Sequence, residues 1–208
     1  MVSRMRKLAI AAALALVLTA CSAPADQPST EPTSTEPASS SASSPSPSET
    51  PSAAGFVVTS PDFEDGDDLD DWATANAYDG QCVGDNQNPA LEWSGVPEGT
   101  VAFAVTLIDR SASYIHWVQF DIPADLTGIA RGASGEDGGT EGATAEATPG
   151  YFGPCPPGQA HRYEFTVYAL DAELGLEEGA RFADVKAAID EHSLAESSIT
   201  GMRSGPGA

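Results

Sequence analysis

The sequence predicts a mainly β protein, an antiparallel β-sandwich with small peripheral helices, and three observations carry that expectation. VAFAVTLI (Val101 to Ile108), HWVQFDI (His116 to Ile122) and YEFTVYAL (Tyr163 to Leu170) are short, rich in β-branched and aromatic residues, and bounded by Gly, Pro or Asp. PEG (Pro97 to Gly99), PAD (Pro123 to Asp125) and GGTEG (Gly138 to Gly142) supply turn chemistry between such stretches. One helix is convincing: Phe182, Val185, Ile189 and Leu194 recur near a 3.6-residue period from Ala180 to about Glu196. The first strand is apolar at nearly every position, as expected of a strand buried on both faces. The closing SGPGA (Ser204 to Ala208) is expected to lack order.

Before this domain the chain reads differently. Arg4, Arg6 and Lys7 form a positive head, Leu8 to Leu18 an apolar run, and LTAC (Leu18 to Cys21) follows with small residues ahead of the cysteine. That order is a secretory signal, residues 1–20, ending in a lipobox, with diacylglycerol and palmitate-type acyl chains expected on Cys21. The apolar run is too short to span a bilayer core of about 30 Å. Stable anchoring follows from two or more acyl chains, each buried methylene adding about 0.8 kcal/mol. Such a lipoprotein is extracytoplasmic and fixed to the outer face of the cell membrane. From Ser22 to Ala54 there are eleven Ser, four Thr and seven Pro, with no apolar side chain larger than Ala. This segment cannot offset its ordering entropy, so residues 21–54 read as a lipidated cysteine and a tether with a reach on the order of 30 Å.

Residues 55–203 have the size of one domain with one core. The formal charge is −22, and without the leader six basic residues face 31 acidic ones, leaving −25. Nucleic acid and anionic surfaces would be repelled by that field. Seven of the ten residues from Asp62 to Asp71 are acidic. They lack the spacing of an EF-hand loop and read as a solvated approach to the domain.

Two stretches, CVGDNQNPALEWSGVP (Cys82 to Pro97) and GYFGPCPPGQAHRYEFTVYAL (Gly150 to Leu170), with HWVQFDIPA (His116 to Ala124) between them, resemble the phosphatidylethanolamine-binding protein family in its bacterial, Raf-kinase-inhibitor-like branch. The resemblance covers about Gly55 to Gly201 and implies that family's β-sandwich. It also implies a ligand pocket for phosphoryl-like anions at one end of the sandwich, with Asp109, His116, Gly153, Pro154, Cys155, His161 and Tyr163 as binding residues. The chemistry is consistent on its own terms. Imidazole and phenol groups donate to phosphate oxygens, and the Gly153 to Pro157 loop can hold a concave backbone edge. Read without the resemblance, His116 is a hydrogen-bonded core histidine and His161 a loop brace. Arg162 reads as a buried salt-bridge partner on the opposite face from His161 and Tyr163. His192 reads as a surface residue or a helix C-terminal dipole partner. Tyr114, Trp93, Trp117, Tyr151 and Phe152 are candidates for pocket lining, with core packing the alternative for the tryptophans.

One motif departs from the family pattern. Where the family has Asp-Pro-Asp-Ala-Pro, this chain has Asp109-Arg110-Ser111-Ala112-Ser113, losing the prolines and the second acid. Arg110 is then free either to swing toward a bound phosphate or to project into solvent.

With Cys21 lipidated, Cys82 and Cys155 are the remaining pair, and an oxidising compartment favours their disulfide. No Gly-x-Ser-x-Gly, Walker, His-Glu-x-x-His or Cys-x-x-Cys motif occurs, so the expectation is a binding module and not an enzyme, with no cofactor. GASGEDGG (Gly132 to Gly139) is a flexible connection, its acids unsuited to phosphate. The expected ligand is a small phosphorylated or anionic molecule, a phospholipid head group among the choices, beside the membrane reached through the lipid anchor. Two other classes stay open: a regulator of a protease or kinase acting through the pocket rim as a protein partner, and a weak hydrolase using His161 as base. Asp109, His116 and His161 also form the residue types of a two-histidine, one-carboxylate metal set.

Overall fold

A computed structural model describes residues 55–206. The leader, Cys21 and the tether lie outside the described residues. The chain forms β1 (Val57–Thr59), β2 (Leu91–Ser94), β3 (Ala102–Asp109), β4 (Tyr114–Pro123), β5 (Gly128–Ile129), β6 (Thr140–Glu141), β7 (His161–Leu170), α1 (Phe182–His192) and β8 (Ser193–Arg203). Single 3₁₀ turns lie at Asp71–Ala73 and Tyr78–Gly80. A three-stranded sheet in the order β1-β2-β5 faces a five-stranded sheet in the order β6-β4-β3-β7-β8, with every named pairing antiparallel. No helix among the described residues is long and apolar enough to cross a membrane.

β3 is the centre of the larger sheet, and its alternation explains its uninterrupted apolarity. Phe103, Val105 and Leu107 face the core between the sheets with Trp93, Trp117, Phe165 and Val167. Ala104 points the other way, into a second cluster with Val118, Phe120 and Leu170 that is covered by Val185 and Ile189 of α1. Both faces are therefore dry, as the sequence pattern requires. The two tryptophans are core residues: Trp117 is fully buried, and Trp93 packs 4.9 Å from Phe103 between ring centroids.

Several expectations are corrected. The helix ends at His192 and runs directly into β8, where Leu194 is exposed and lies at the register shift between Ala195 and Ser193, not on a helix face. The acidic segment is solvated along Glu64, Asp65, Asp67, Asp68, Asp70 and Asp71, but it is part of the folded domain and not an approach to it. Phe63 and Leu69 are buried in the core, Asp62 pairs with Arg131 and accepts from the Ala90 N–H at 2.7 Å, and Asp65 accepts from the Thr200 N–H at 2.8 Å. Its carboxylates cap backbone donors of neighbouring elements, which is how so acidic a run is tolerated beside a core. Residues 132–139 are likewise tied down: Ser134 donates from its N–H to Asn88 at 2.9 Å and from its hydroxyl to Glu141 at 2.5 Å. At the chain's end Gly205 donates to the Gly158 carbonyl at 2.7 Å, so residues 204–206 fold back on the 156–158 loop where the sequence reads as an unordered tail.

Candidate functional site

The inner faces of β3 and β7 are apolar until their last turn toward one end of the sandwich. There the same alternation that placed Phe103, Val105 and Leu107 inward delivers Asp109. On β7 the alternation that buries Phe165 and Val167 delivers Tyr163 and then His161. The site is thus the polar end of the inter-sheet core. β4 contributes His116 by a different device. Leu107 pairs with Trp117 and Ile108 with Ile115, which leaves His116 as the extra residue of a β-bulge. A bulge re-aims the side chain it carries, and here it turns a buried imidazole toward the end of the sheet.

Four of the sequence-predicted residues, Asp109, His116, Cys155 and His161, meet in the wall of a cavity of about 140 Å³. Tyr114 and Phe152 join them, as does Tyr78. Asp109 is 3% exposed, and its Oδ1 accepts the N–H groups of Ser111 at 2.8 Å and Ala112 at 3.1 Å. This side-chain turn replaces the rigidity that prolines would give the loop. Its Oδ2 lies 2.6 Å from His161 Nδ1. Because a carboxylate only accepts, Nδ1 carries the proton and the other ring nitrogen is left for the cavity. His161 remains about one-fifth exposed. His116 Nδ1 lies 2.7 Å from the Phe152 carbonyl, which fixes its tautomer in the same sense. Burial pushes the His116 imidazole below its ordinary pKa of 6.5, against the upward pull of the Phe152 carbonyl and of Asp109.

Tyr163 is fully buried behind the two imidazoles, 5.2 Å from the His116 ring and 6.4 Å from the His161 ring. Burial, with the nearby charge of Asp109, pushes the Tyr163 pKa up. Gly153 and Pro154 do not line the cavity. The Gly153 N–H donates to Asn86 Oδ1 at 2.8 Å, and the Pro154 carbonyl accepts the Ala75 N–H at 3.2 Å. A Cβ on Gly153 would stand 2.2 Å from the Ala73 carbonyl oxygen, so this glycine is a matter of close backbone approach. These two residues hold the loop from behind, and Cys155, Pro156 and Pro157 present it. Cys82 and Cys155 form a disulfide with Cα atoms 5.8 Å apart, tying the loop to the 77–82 segment.

Arg162 is exposed and forms no ion pair among the described residues, because the outer face of β7 is open to solvent at this end; its N–H donates to the Ser111 hydroxyl at 3.0 Å. Arg110 neither reaches the cavity nor hangs free, and pairs with Glu164. His192 ends α1 and pairs with Asp171 at 2.9 Å. Tyr151 belongs to the core, donating to the Ala73 carbonyl at 3.0 Å. No group of three potential metal ligands converges among the described residues.

Sequence reading missed Tyr78 and Glu146. Tyr78 sits at φ +56 in a 3₁₀ turn just before the motif that begins at Cys82, and its hydroxyl donates to Glu146 at 2.9 Å. Tyr114 donates to the same carboxylate. The YDG triplet, a turn signal carrying an aromatic, was the one available cue.

Comparison with known proteins agrees with this fold. A family model described as phosphatidylethanolamine-binding protein matches residues 59–204. The chain is 42% identical over 158 residues to the UPF0098 protein YbhB of Escherichia coli, covering 70% of this chain and 98% of that one. It is 31% identical over 166 residues to a Mycobacterium tuberculosis protein, LppC, named provisionally as a lipoprotein, covering 74% of this chain and 75% of the other. Among solved structures, Escherichia coli YbcL, described as a new member of the mammalian PEBP family, superposes with a TM-score of 0.67 at 32% identity, covering 73% of this chain and 99% of that one.

Proposed function

The chain belongs to the phosphatidylethanolamine-binding protein family, and on that premise we propose that it is a membrane-tethered, extracytoplasmic binding module whose small pocket takes an anionic, phosphoryl-type group. The single observation that carries this reading is the convergence of two oriented imidazoles on one cavity. His161 is braced by Asp109 and His116 by the Phe152 carbonyl, and no side-chain hydrogen bond among the described residues engages the second nitrogen of either ring. Burial keeps the His116 ring a neutral acceptor in that state, and it becomes a donor on gaining a proton, so an anion enters together with that proton and affinity rises as pH falls. A cavity of about 140 Å³ suits a head group or a small phosphorylated molecule and is well below the several hundred Å³ typical of drug-sized ligands. The tethered location is supported by the leader, the lipobox cysteine and the naming of LppC.

The reading is of a binder and not of an enzyme. Asp109 and His161 resemble the orienting half of a general-base pair, but no serine, threonine or free thiol stands beside His161 in the cavity wall. The test is calorimetric titration of the detergent-solubilised chain with inorganic phosphate. His116→Ala and His161→Ala are expected each to weaken binding by at least roughly tenfold, and His192→Ala to leave it unchanged. Equal binding by all three variants, or none by the parent, would overturn the proposal.

A further inference from the structure

The mouth of the cavity carries a fixed negative charge. Glu146 is exposed, yet the phenols of Tyr78 and Tyr114, both part of the cavity wall, donate to its carboxylate. The turn that presents it is well tied. Thr144 is buried, its N–H donates to the Thr148 carbonyl at 2.9 Å and its hydroxyl to the same carbonyl at 3.0 Å, and that hydroxyl accepts the Glu146 N–H at 3.2 Å. Ala145 donates to the Ile115 carbonyl at 2.9 Å, which fastens the turn to β4 one residue before His116. Ala147 sits at φ +58, a left-handed conformation that L side chains adopt at a cost and that this turn maintains. The two phenols hold the Glu146 carboxyl below its ordinary pKa, with His116 adding a smaller pull in the same direction.

Nothing in the wall offsets that charge permanently. Among the described residues the lining contains no lysine or arginine, and Asp109 adds a second carboxylate. Of the nearby arginines, Arg110 pairs with Glu164 and Arg203 with Asp71 and the Leu69 carbonyl, while Arg162 stands exposed on the outer face of β7, opposite the face that carries His161. An entering anion therefore meets two imidazoles that gain charge only by protonation, and passes a carboxylate that never loses its own near neutral pH.

We propose that Glu146, fixed by Tyr78 and Tyr114, is a charge filter at the mouth, so that the pocket prefers ligands bearing a single negative charge to dianions. This rests on the reading of the cavity as an anion site and specifies its ligand class: phosphodiesters and other monoanionic oxygen ligands over phosphomonoesters. The physical reason is Coulombic. Each further unit of ligand charge adds repulsion from Glu146 and Asp109, in a partly enclosed site where the effective dielectric constant is below that of water. No arginine fork is present to repay it.

The experiment uses the full chain in detergent micelles at about pH 7.5, titrated calorimetrically with dimethyl phosphate, a monoanion, and methyl phosphate, chiefly dianionic there because its second ionisation lies near 6. The unmodified chain is expected to bind dimethyl phosphate tighter by roughly tenfold. Glu146→Gln keeps an oxygen acceptor for both phenols and lies on an exposed turn, so the fold is retained. It is expected to strengthen both ligands, the monoester more, and so to bring the ratio closer to one. Tyr78→Phe, which releases one of the two restraints, is expected to reduce the preference partway. An unchanged ratio in Glu146→Gln, or equal affinities in the unmodified chain, overturns the charge filter while leaving the anion pocket standing. Failure of both ligands to bind either protein overturns the anion pocket and the filter with it.

Discussion

Asp109 is the residue on which the site's geometry turns, and replacing it with asparagine gives the sharpest quantitative expectation. The substitution keeps the shape and the Oδ1 acceptor for the Ser111 and Ala112 N–H groups. It converts the oxygen facing His161 Nδ1, 2.6 Å away, into an NH2 group. Two donors then oppose one another until the imidazole moves its proton to the cavity side. The carboxylate is 3% exposed, so solvent does not replace the lost acceptor. A hydrogen bond to a charged group contributes about 1.5–3 kcal/mol. At about 2–4 °C per kcal/mol for a domain of this size, Tm should fall by about 3–12 °C. A double-mutant cycle isolates the pair: Asp109→Asn, His161→Ala and the double variant, measured by urea denaturation, should show a coupling of about 1–2 kcal/mol, with the double variant scarcely worse than the poorer single one. Single effects that add within about 0.3 kcal/mol would refute the claim that Asp109 acts through His161.

Three further outcomes are expected. Cys82→Ser with Cys155→Ser, or reduction of the parent, should cost about 4 kcal/mol in chemical denaturation, since the bridge spans a sequence separation of 73 residues and the entropy of so long a loop is released on opening it; a change below about 1 kcal/mol would contradict a structural role. Gly153→Ala should destabilise by at least about 1–3 kcal/mol and weaken phosphate binding, because its Cβ meets the Ala73 oxygen and the Ala75 nitrogen at 2.2 and 2.6 Å; a variant as stable and as tight as the parent would show that the loop is not braced there. Burial lowers the His116 pKa from 6.5, so the unfolded chain takes up a proton that the folded chain refuses. Stability is therefore lost on acidification below about pH 6.5, with a slope from this residue approaching about 1.4 kcal/mol per pH unit. Comparing parent and His116→Gln between about pH 7.5 and 5 should remove that component, and identical pH profiles would count against it.

How much of this was legible beforehand depended on whether the signal was local. β3, β4 and β7 were readable because a strand at the centre of a two-faced core must be apolar and β-branched throughout. β8 was not: SLAESSITGMR is polar and small, and it becomes a strand by pairing with β7 along its length, from Leu170 opposite Ser193 to His161 opposite Arg203. The helix was overrun because Leu194 continues the apolar period and no Gly or Pro marks the stop at His192. In the site, Asp109, His116 and His161 lay inside recognisable motifs, and strand alternation correctly put His161 and Tyr163 on one face and Arg162 on the other. What alternation could not say is that the outer face at that end is open to water. Gly153 and Pro154 were placed in the right loop, yet whether a backbone faces a guest or its own scaffold is decided by Asn86 and Ala75, partners distant in sequence. Tyr78 and Glu146 come together across 68 residues of sequence, with no spacing rule to announce it.

The central claim, that His116 and His161 form one receptor for a negative oxygen group, is tested most directly by nitrogen-15 NMR of the imidazoles as inorganic phosphate is added. The chain contains three histidines, so His192 at the end of α1 serves as an internal control. The account predicts saturable shifts toward the protonated form at the cavity-side nitrogens of both His116 and His161, with a shared midpoint and no change at His192. Shifts at neither cavity histidine, or equal shifts at all three, would contradict it.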